Sequence, residues 1–167
     1  MYNNQEMKKY DEGIEASKKF FEISKDSDNV YLDYIYYGRL LSNVKRYDEA
    51  IDQFNKALVL ENKNLDILKD ISNAYEKKHD YDNAISIYEK YLSEASKQDD
   101  ASELFFFGRL NYYAASDSAN ISKQSIYLDK ADQTFAKVAE KAPDSYLGNF
   151  WRARVNSLKD PETTEGL

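Results

Sequence analysis

One segment of this chain is written twice. Tyr47-Asp48-Glu49-Ala50-Ile51 returns 34 residues later as Tyr81-Asp82-Asn83-Ala84-Ile85. The same offset carries Gly38 to Ser72, Leu41 to Tyr75, Phe54 to Tyr88 and Leu58 to Leu92. A fixed period of this size marks a repeat array, in which each unit is one supersecondary element that cannot bury its apolar face alone. With 167 residues there is room for about four such repeats.

Inside the period the apolar spacing is helical. Tyr34, Tyr37, Gly38 and Leu41 share a stripe over Tyr31–Lys45, and Ala50, Ile51, Phe54, Ala57 and Leu58 share one over Tyr47–Leu60. Asp66–Lys78 and Tyr81–Ser96 repeat the pair. The links at Arg46 and at Lys78-His79-Asp80 are too short for anything but antiparallel hairpins. An earlier helix is expected from about Tyr10 to Ser24, followed by a polar break in which Ser27 or Asp28 caps the next helix. Phe107-Gly108-Arg109-Leu110 echoes Tyr37-Gly38-Arg39-Leu40 and opens a third pair, from Ser102 to Tyr113. Gly38 precedes Ala50 by 12 residues, whereas Gly108 precedes Ala131 by 23, so an insertion lies within 114–127, either as a loop or as an extended helix end. Tyr146–Lys159 is a last helix, stopped before Asp160-Pro161, and residues 161–167 read as a disordered tail.

Composition supports helices and narrows the chemistry. Five Gly and two Pro are too few for a turn-rich β protein. A net charge of −7 argues against nucleic acid, whose phosphates draw on a basic surface. The absence of Cys removes disulfides and thiolates, and no apolar run approaches the ~20 residues of a transmembrane helix. His79, the single histidine, falls in a turn with no nucleophile or metal partner, so no catalytic set, metal site or cofactor is expected. Asp99, Asp100 and Glu103 lack the ligand spacing of a calcium loop and read as helix capping. Met1–Gln5 is polar rather than signal-like, and the compartment stays open, with an exported or periplasmic origin included.

A small residue, a second small residue 12 later, an aromatic four after that and Pro eight further on resembles the tetratricopeptide repeat. The pattern is carried by Gly38/Ala50/Phe54, by Ser72/Ala84/Tyr88, and, across the insertion, by Gly108/Ala131/Phe135/Pro143. Helices of a hairpin approach closely only where facing side chains are small, and the aromatic wedges into the gap. Ser72 in place of Gly, Tyr91 where Ala57 sits, and Asn62 and Ser96 in place of Pro depart from the pattern. More loosely, the tail resembles that of repeat proteins of gut-type Bacteroidetes. The resemblance implies an all-α, right-handed helical-hairpin solenoid of about seven helices in one domain, 1–160. Its parts would be a partial repeat over about 1–28, repeats 31–64 and 65–98, an interrupted repeat 101–143 and a partial repeat 146–160. A first helix lacking its partner would leave Phe20 or Phe21 uncovered. The native protein is therefore expected to extend beyond this chain, or the chain to self-associate through an end.

In that family the first helix of each pair lines a concave face. The resemblance thus places Ile35, Tyr36, Arg39 and Asn43 there, then Lys69, Asp70, Asn73 and Lys77, then Phe105, Phe106, Arg109, Tyr112 and Tyr113. Trp151 and Arg154 continue the row, with a register open by one residue. Arg39, Asn73 and Arg109 are equivalent, one per repeat. Such donors among aromatics suit an extended peptide bearing carboxylates. Lys69 and Asn73 also resemble part of the carboxylate clamp of chaperone-binding members, although Ile35 and Phe105 stand where its other polar residues belong. The alternative is that Arg39 and Arg109 pair with nearby acids and solvate the face. The expected role is a non-catalytic module for a protein or peptide partner, or else a structural spacer in a larger exported complex with no groove ligand.

Overall fold

The computed structural model describes residues 2–25 and 30–160, with side chains from residue 7 onward. Caps at Ser27 or Asp28, and the tail after Asp160, lie outside the described residues. Among those described there are eight α-helices, one 3₁₀ segment and no strand. They are α1 (Tyr2–Ile23), α2 (Tyr31–Asn43), α3 (Tyr47–Leu60), α4 (Asp66–Lys77), α5 (Tyr81–Glu94), α6 (Ala101–Ser116), the 3₁₀ segment Ser118–Lys123, α7 (Gln124–Lys141) and α8 (Leu147–Lys159). The count is close to the expected seven or so, and α7 is the second helix of the interrupted repeat. The chain divides into two compact units, residues 1–87 and 88–167, and the division falls inside α5.

In the first unit, α2 and α3 form a close hairpin, and α1 and α4 pack beside them. Leu41, Ala50 and Ala57 are fully buried, and Phe54 nearly so. The close approach depends on Gly38. A Cβ there would stand 2.6 Å from the Phe54 ring, well inside contact distance. Ser72 takes the glycine's place in the next hairpin, where its hydroxyl donates to the Ala84 carbonyl at 2.7 Å. The departure from glycine thus exchanges proximity for a buried hydrogen bond. α1 starts eight residues before the expected Tyr10, since nothing between Tyr2 and Tyr10 breaks a helix. It rests on α2 through Phe21, whose ring lies 4.8 Å from Tyr34 and 5.7 Å from Tyr37; Ile14 is buried, while Phe20 stays 40% exposed.

Helices α2, α4 and α5 end one to two residues short of the expected positions, for one reason. Lys45, His79 and Ser96 adopt left-handed backbones, with φ of 64°, 65° and 54°. Around each, the next N–H reaches back to the helix: Arg46 to the Leu41 carbonyl (2.9 Å), Asp80 to Tyr75 (2.9 Å) and Lys97 to Leu92 (2.8 Å). These are Schellman turns built without glycine. Proline, with φ locked near −65°, could not occupy Ser96, which accounts for that departure from the repeat pattern.

In the second unit, α6 and α7 form the hairpin, and α8 packs on α7. A Cβ at Gly108 would meet the Phe135 ring at 2.7 Å, repeating the contact of the first unit. Gly148 admits α8 to the Ala139 backbone, with 2.5 Å from a Cβ position to the Ala139 nitrogen. The insertion becomes both of the expected alternatives. α6 runs on to Ser116, and the 3₁₀ segment folds back so that Asn120 and Gln124 amides donate to the Ala114 and Ala115 carbonyls (3.1 Å each), closing the open end of α6. Tyr91, large where Ala57 is small, is buried with its hydroxyl donating to Glu103 at 3.1 Å, beside Tyr88 at 2.6 Å. Burial and that carboxylate push the Tyr88 hydroxyl above its ordinary pKa.

Gly38→Ala tests the central contact by sign. In an unobstructed helix, Gly to Ala gains about 1 kcal/mol. Here overpacking against Phe54 is expected to lower unfolding free energy by roughly 1–3 kcal/mol in a urea titration, with part recovered by Phe54→Leu. His79→Gly removes the left-handed penalty and is expected to raise stability by roughly 0.5–1 kcal/mol in the same titration, after the entropy cost of glycine.

Candidate functional site

The glycine contacts bury one face of α2 and of α6, and the opposite face is what remains for binding. In the first unit, five of the expected residues, Asp70 among them, come round one cavity. Arg39 and Asn43 of α2 and Asn73 and Lys77 of α4 line it with Ser42 and Asp70, over the edge of Phe54. Its volume, about 210 Å³, is below the roughly 300–1,000 Å³ of small-molecule pockets and fits a single side chain. Arg39 forks Asp70, with Nη2 to Oδ2 at 2.8 Å and Nε to Oδ1 at 3.3 Å. The pairing holds the Arg39 guanidinium above its ordinary pKa. A half-exposed pair of this kind contributes about 1 kcal/mol at most, so an incoming carboxylate can compete for the guanidinium. The remaining expected residues stand apart: Tyr36 is 63% exposed and Lys69 half-buried, neither on the cavity wall, and Ile35 is buried in the core rather than on the face.

The second unit presents different chemistry in the same register. Trp151 is 8% exposed and stacks on Phe135 with ring centroids 5.5 Å apart. Phe105, Tyr112, Tyr113 and Phe150 meet it edge-on at 5.3 to 6.2 Å. Arg109 lies over the indole at 5.8 Å and over Tyr113 at 5.3 Å, and its Nη2 donates to the Tyr113 hydroxyl at 3.0 Å. Arg154 lies over the indole at 4.8 Å. Arg39 follows Gly38 by one residue, and its partner Asp70 precedes Ser72 by two. Arg109 follows Gly108 by one, and Trp151 precedes Ala153 by two. The arginine therefore reaches the same place on the next first helix in both units, an acid in one and an indole in the other. Counting Ala153 as the counterpart of Ser72, Arg154 stands at the position of Arg39. The pairing alternative holds for Arg39, whereas Arg109 is held by rings.

Phe106 is 53% exposed and, with Phe105, walls an apolar cavity of about 300 Å³ closed by Val138, Ala142 and Leu147. Sequence reasoning missed this cavity. Its walls come from three helices on either side of the insertion, and only the Phe105-Phe106 pair was visible. Among the described residues no group of three His, Asp or Glu side chains could hold a metal ion, and no helix is long and apolar enough to cross a membrane.

Antiparallel helix pairs in fixed register, each burying one face through small residues and presenting polar and aromatic side chains on the other, define a helical-repeat binding module. The tetratricopeptide repeat model matches residues 34–64 and 68–98. A Photosystem I assembly protein Ycf3 from Prochlorococcus marinus subsp. pastoris is 28% identical over 139 residues, covering 78% of this chain and 79% of that protein. The protein of the same name from Prochlorococcus marinus strain MIT 9215 is 30% identical over 122 residues, covering 68% and 69%. Among solved structures, the C-terminal part of a TPR repeat-containing protein from Cytophaga hutchinsonii matches with a TM-score of 0.71 at 28% identity. The match covers 97% of this chain and 58% of that one, so the chain spans little more than half of it. MamA matches with a TM-score of 0.53 at 13% identity, a likeness of fold alone, over 96% of this chain and 95% of its own. The chain belongs to the tetratricopeptide repeat family, and its fold is the all-α helical-hairpin repeat of that family. It is a protein–protein interaction module.

The helix that carries Phe105, Phe106 and Arg109 is anchored by Asp100, whose carboxylate accepts from the Ser102 and Glu103 amides at 3.0 and 3.2 Å and from Lys97 at 2.9 Å. The Lys97 ammonium first, and those amides next, hold the carboxyl below its ordinary pKa. The cap's contribution is therefore full above the ordinary carboxylate range and lost as pH falls through the lowered folded-state value. Asp100→Ala is expected to cost about 1 kcal/mol at neutral pH and much less in strong acid, read by urea unfolding at the two pH values.

Proposed function

We propose that the chain is a non-catalytic module that holds an extended peptide or a helix of a protein partner on its first-helix faces. Aromatic area supplies affinity, and the Arg and Asn donors fix the orientation. The observation that carries the reading is the gathering of Arg39, Asn43, Asn73 and Lys77 around one side-chain-sized cavity. These residues do no packing that the fold needs: Asn43, Asn73 and Lys77 are exposed, and the core is complete beneath them. In a protein of net charge −7, cations and amides collected on one surface favour a ligand bearing carboxylates.

The relatives' names favour a second reading, in which the domain spaces or assembles parts of a larger complex, exported or otherwise, and leaves these faces unoccupied. Selection of a displayed random-peptide library against the whole chain separates the two. Under the first reading the enriched peptides lose about tenfold or more in affinity to Asn73→Ala/Lys77→Ala or to Arg109→Ala/Arg154→Ala, while Lys63→Ala leaves them unchanged. Enriched peptides insensitive to both double variants, or no enrichment at all, would leave the scaffold reading in place.

A further inference from the structure

Three of the five arginines hold a carboxylate: Arg39 with Asp70, Arg46 with Glu49 and Arg152 with Asp132. Among the described residues, Arg109 and Arg154 hold none. Both lie on the rings around Trp151, and the Arg109 Nε is buried with no hydrogen-bond partner. A half-buried Arg109 and an exposed Arg154, both lying on aromatic faces with donors left over, make a half-made anion site. Acids are plentiful in this chain, yet among the described residues none forms an ion pair with either arginine.

The apolar cavity lies one helical turn away. Phe105 and Leu147 on its wall precede Arg109 and Trp151 by four residues each, a rise of about 6 Å. An extended peptide presents residues i and i+2 on one side, about 6.6 Å apart. The geometry points to a ligand of defined pattern for this unit: an extended peptide with an aliphatic or aromatic side chain and a carboxylate two residues apart. The apolar side chain enters the cavity of about 300 Å³ between Phe105, Phe106, Val138, Ala142 and Leu147. The carboxylate meets the exposed edge of Arg154 and those Arg109 donors that the Tyr113 hydroxyl does not take, the flat faces of both being occupied by rings. A single planar carboxylate suits those edges, and the net charge of −7 disfavours a polyanion. This assignment rests on the reading that first-helix faces take extended peptides, and it narrows that reading to one unit and one ligand pattern.

Trp151 is the only tryptophan, so its emission reports on the site directly. The probes are ten-residue Gly/Ser peptides carrying one Leu and one Glu, labelled with fluorescein for anisotropy and unlabelled for tryptophan emission, added to the whole chain. Peptides with Leu and Glu two apart, in either order, are expected to bind about tenfold tighter than those with adjacent residues or with Gln for Glu. They should also shift Trp151 emission, and lose about tenfold to Arg154→Gln, an exposed position, but nothing to Asn73→Ala/Lys77→Ala. Equal binding of the Gln peptide, an unmoved Trp151 emission at saturation, or indifference to Arg154→Gln would overturn the assignment. Tighter binding of a phosphoserine peptide would overturn the choice of carboxylate. If library-selected peptides bind through Asn73 and Lys77 while the Leu/Glu set fails, this inference falls and the general reading survives. If neither set binds, both fall.

Discussion

The structure depends on how closely two helices can approach where one of them has no side chain. Gly38 against Phe54 and Gly108 against Phe135 are the same contact made twice, each with a ring where a Cβ would have to be. Such an approach fixes the rotation of both helices about their own axes, because only one face of α2 or α6 offers the gap. Once rotation is fixed, the opposite face is fixed too. The binding surface is thus a consequence of the packing: Gly38 and Gly108 turn in, and Arg39 and Arg109, one residue on, reach to the next first helix.

Much of this was legible because a repeat writes its constraints more than once. Tyr47–Leu60 forms the helix read from its stripe, and the small-residue positions Ala50, Ala84 and Ala131 are fully buried. What stayed hidden has physical causes. The left-handed residues Lys45 and Ser96 carry side chains that ordinarily avoid that conformation, so nothing in their identity marked the exact helix end, whereas His79 reads as a turn residue from the sequence. Gly148 works against backbone rather than against an aromatic, outside the repeat pattern. Ile35 was assigned to the exposed face by family resemblance and is buried, since the edge of a stripe is decided by neighbouring helices that a linear pattern does not show.

The two units put one register position to different uses. Asp70 answers Arg39 with charge, which leaves a polar cavity whose guanidinium is already engaged. Trp151 answers Arg109 with a ring, and Arg154 covers the same indole, which leaves guanidinium edges without an acid. Divergence at a single position of a repeat changes the chemistry offered while the backbone contact beneath it stays the same. In this way an array can keep its architecture and vary what it binds.

The claim at the centre is that the packing leaves the first helices, and not the second, to meet a partner. Amide chemical-shift mapping of the ¹⁵N-labelled chain, titrated with the tightest library-selected peptide, tests it most directly. The account predicts shifts confined to α2 and α4 in the first unit or to α6 and α8 in the second. Shifts concentrated on the outer faces of α3 and α7, with the first helices silent, would contradict it.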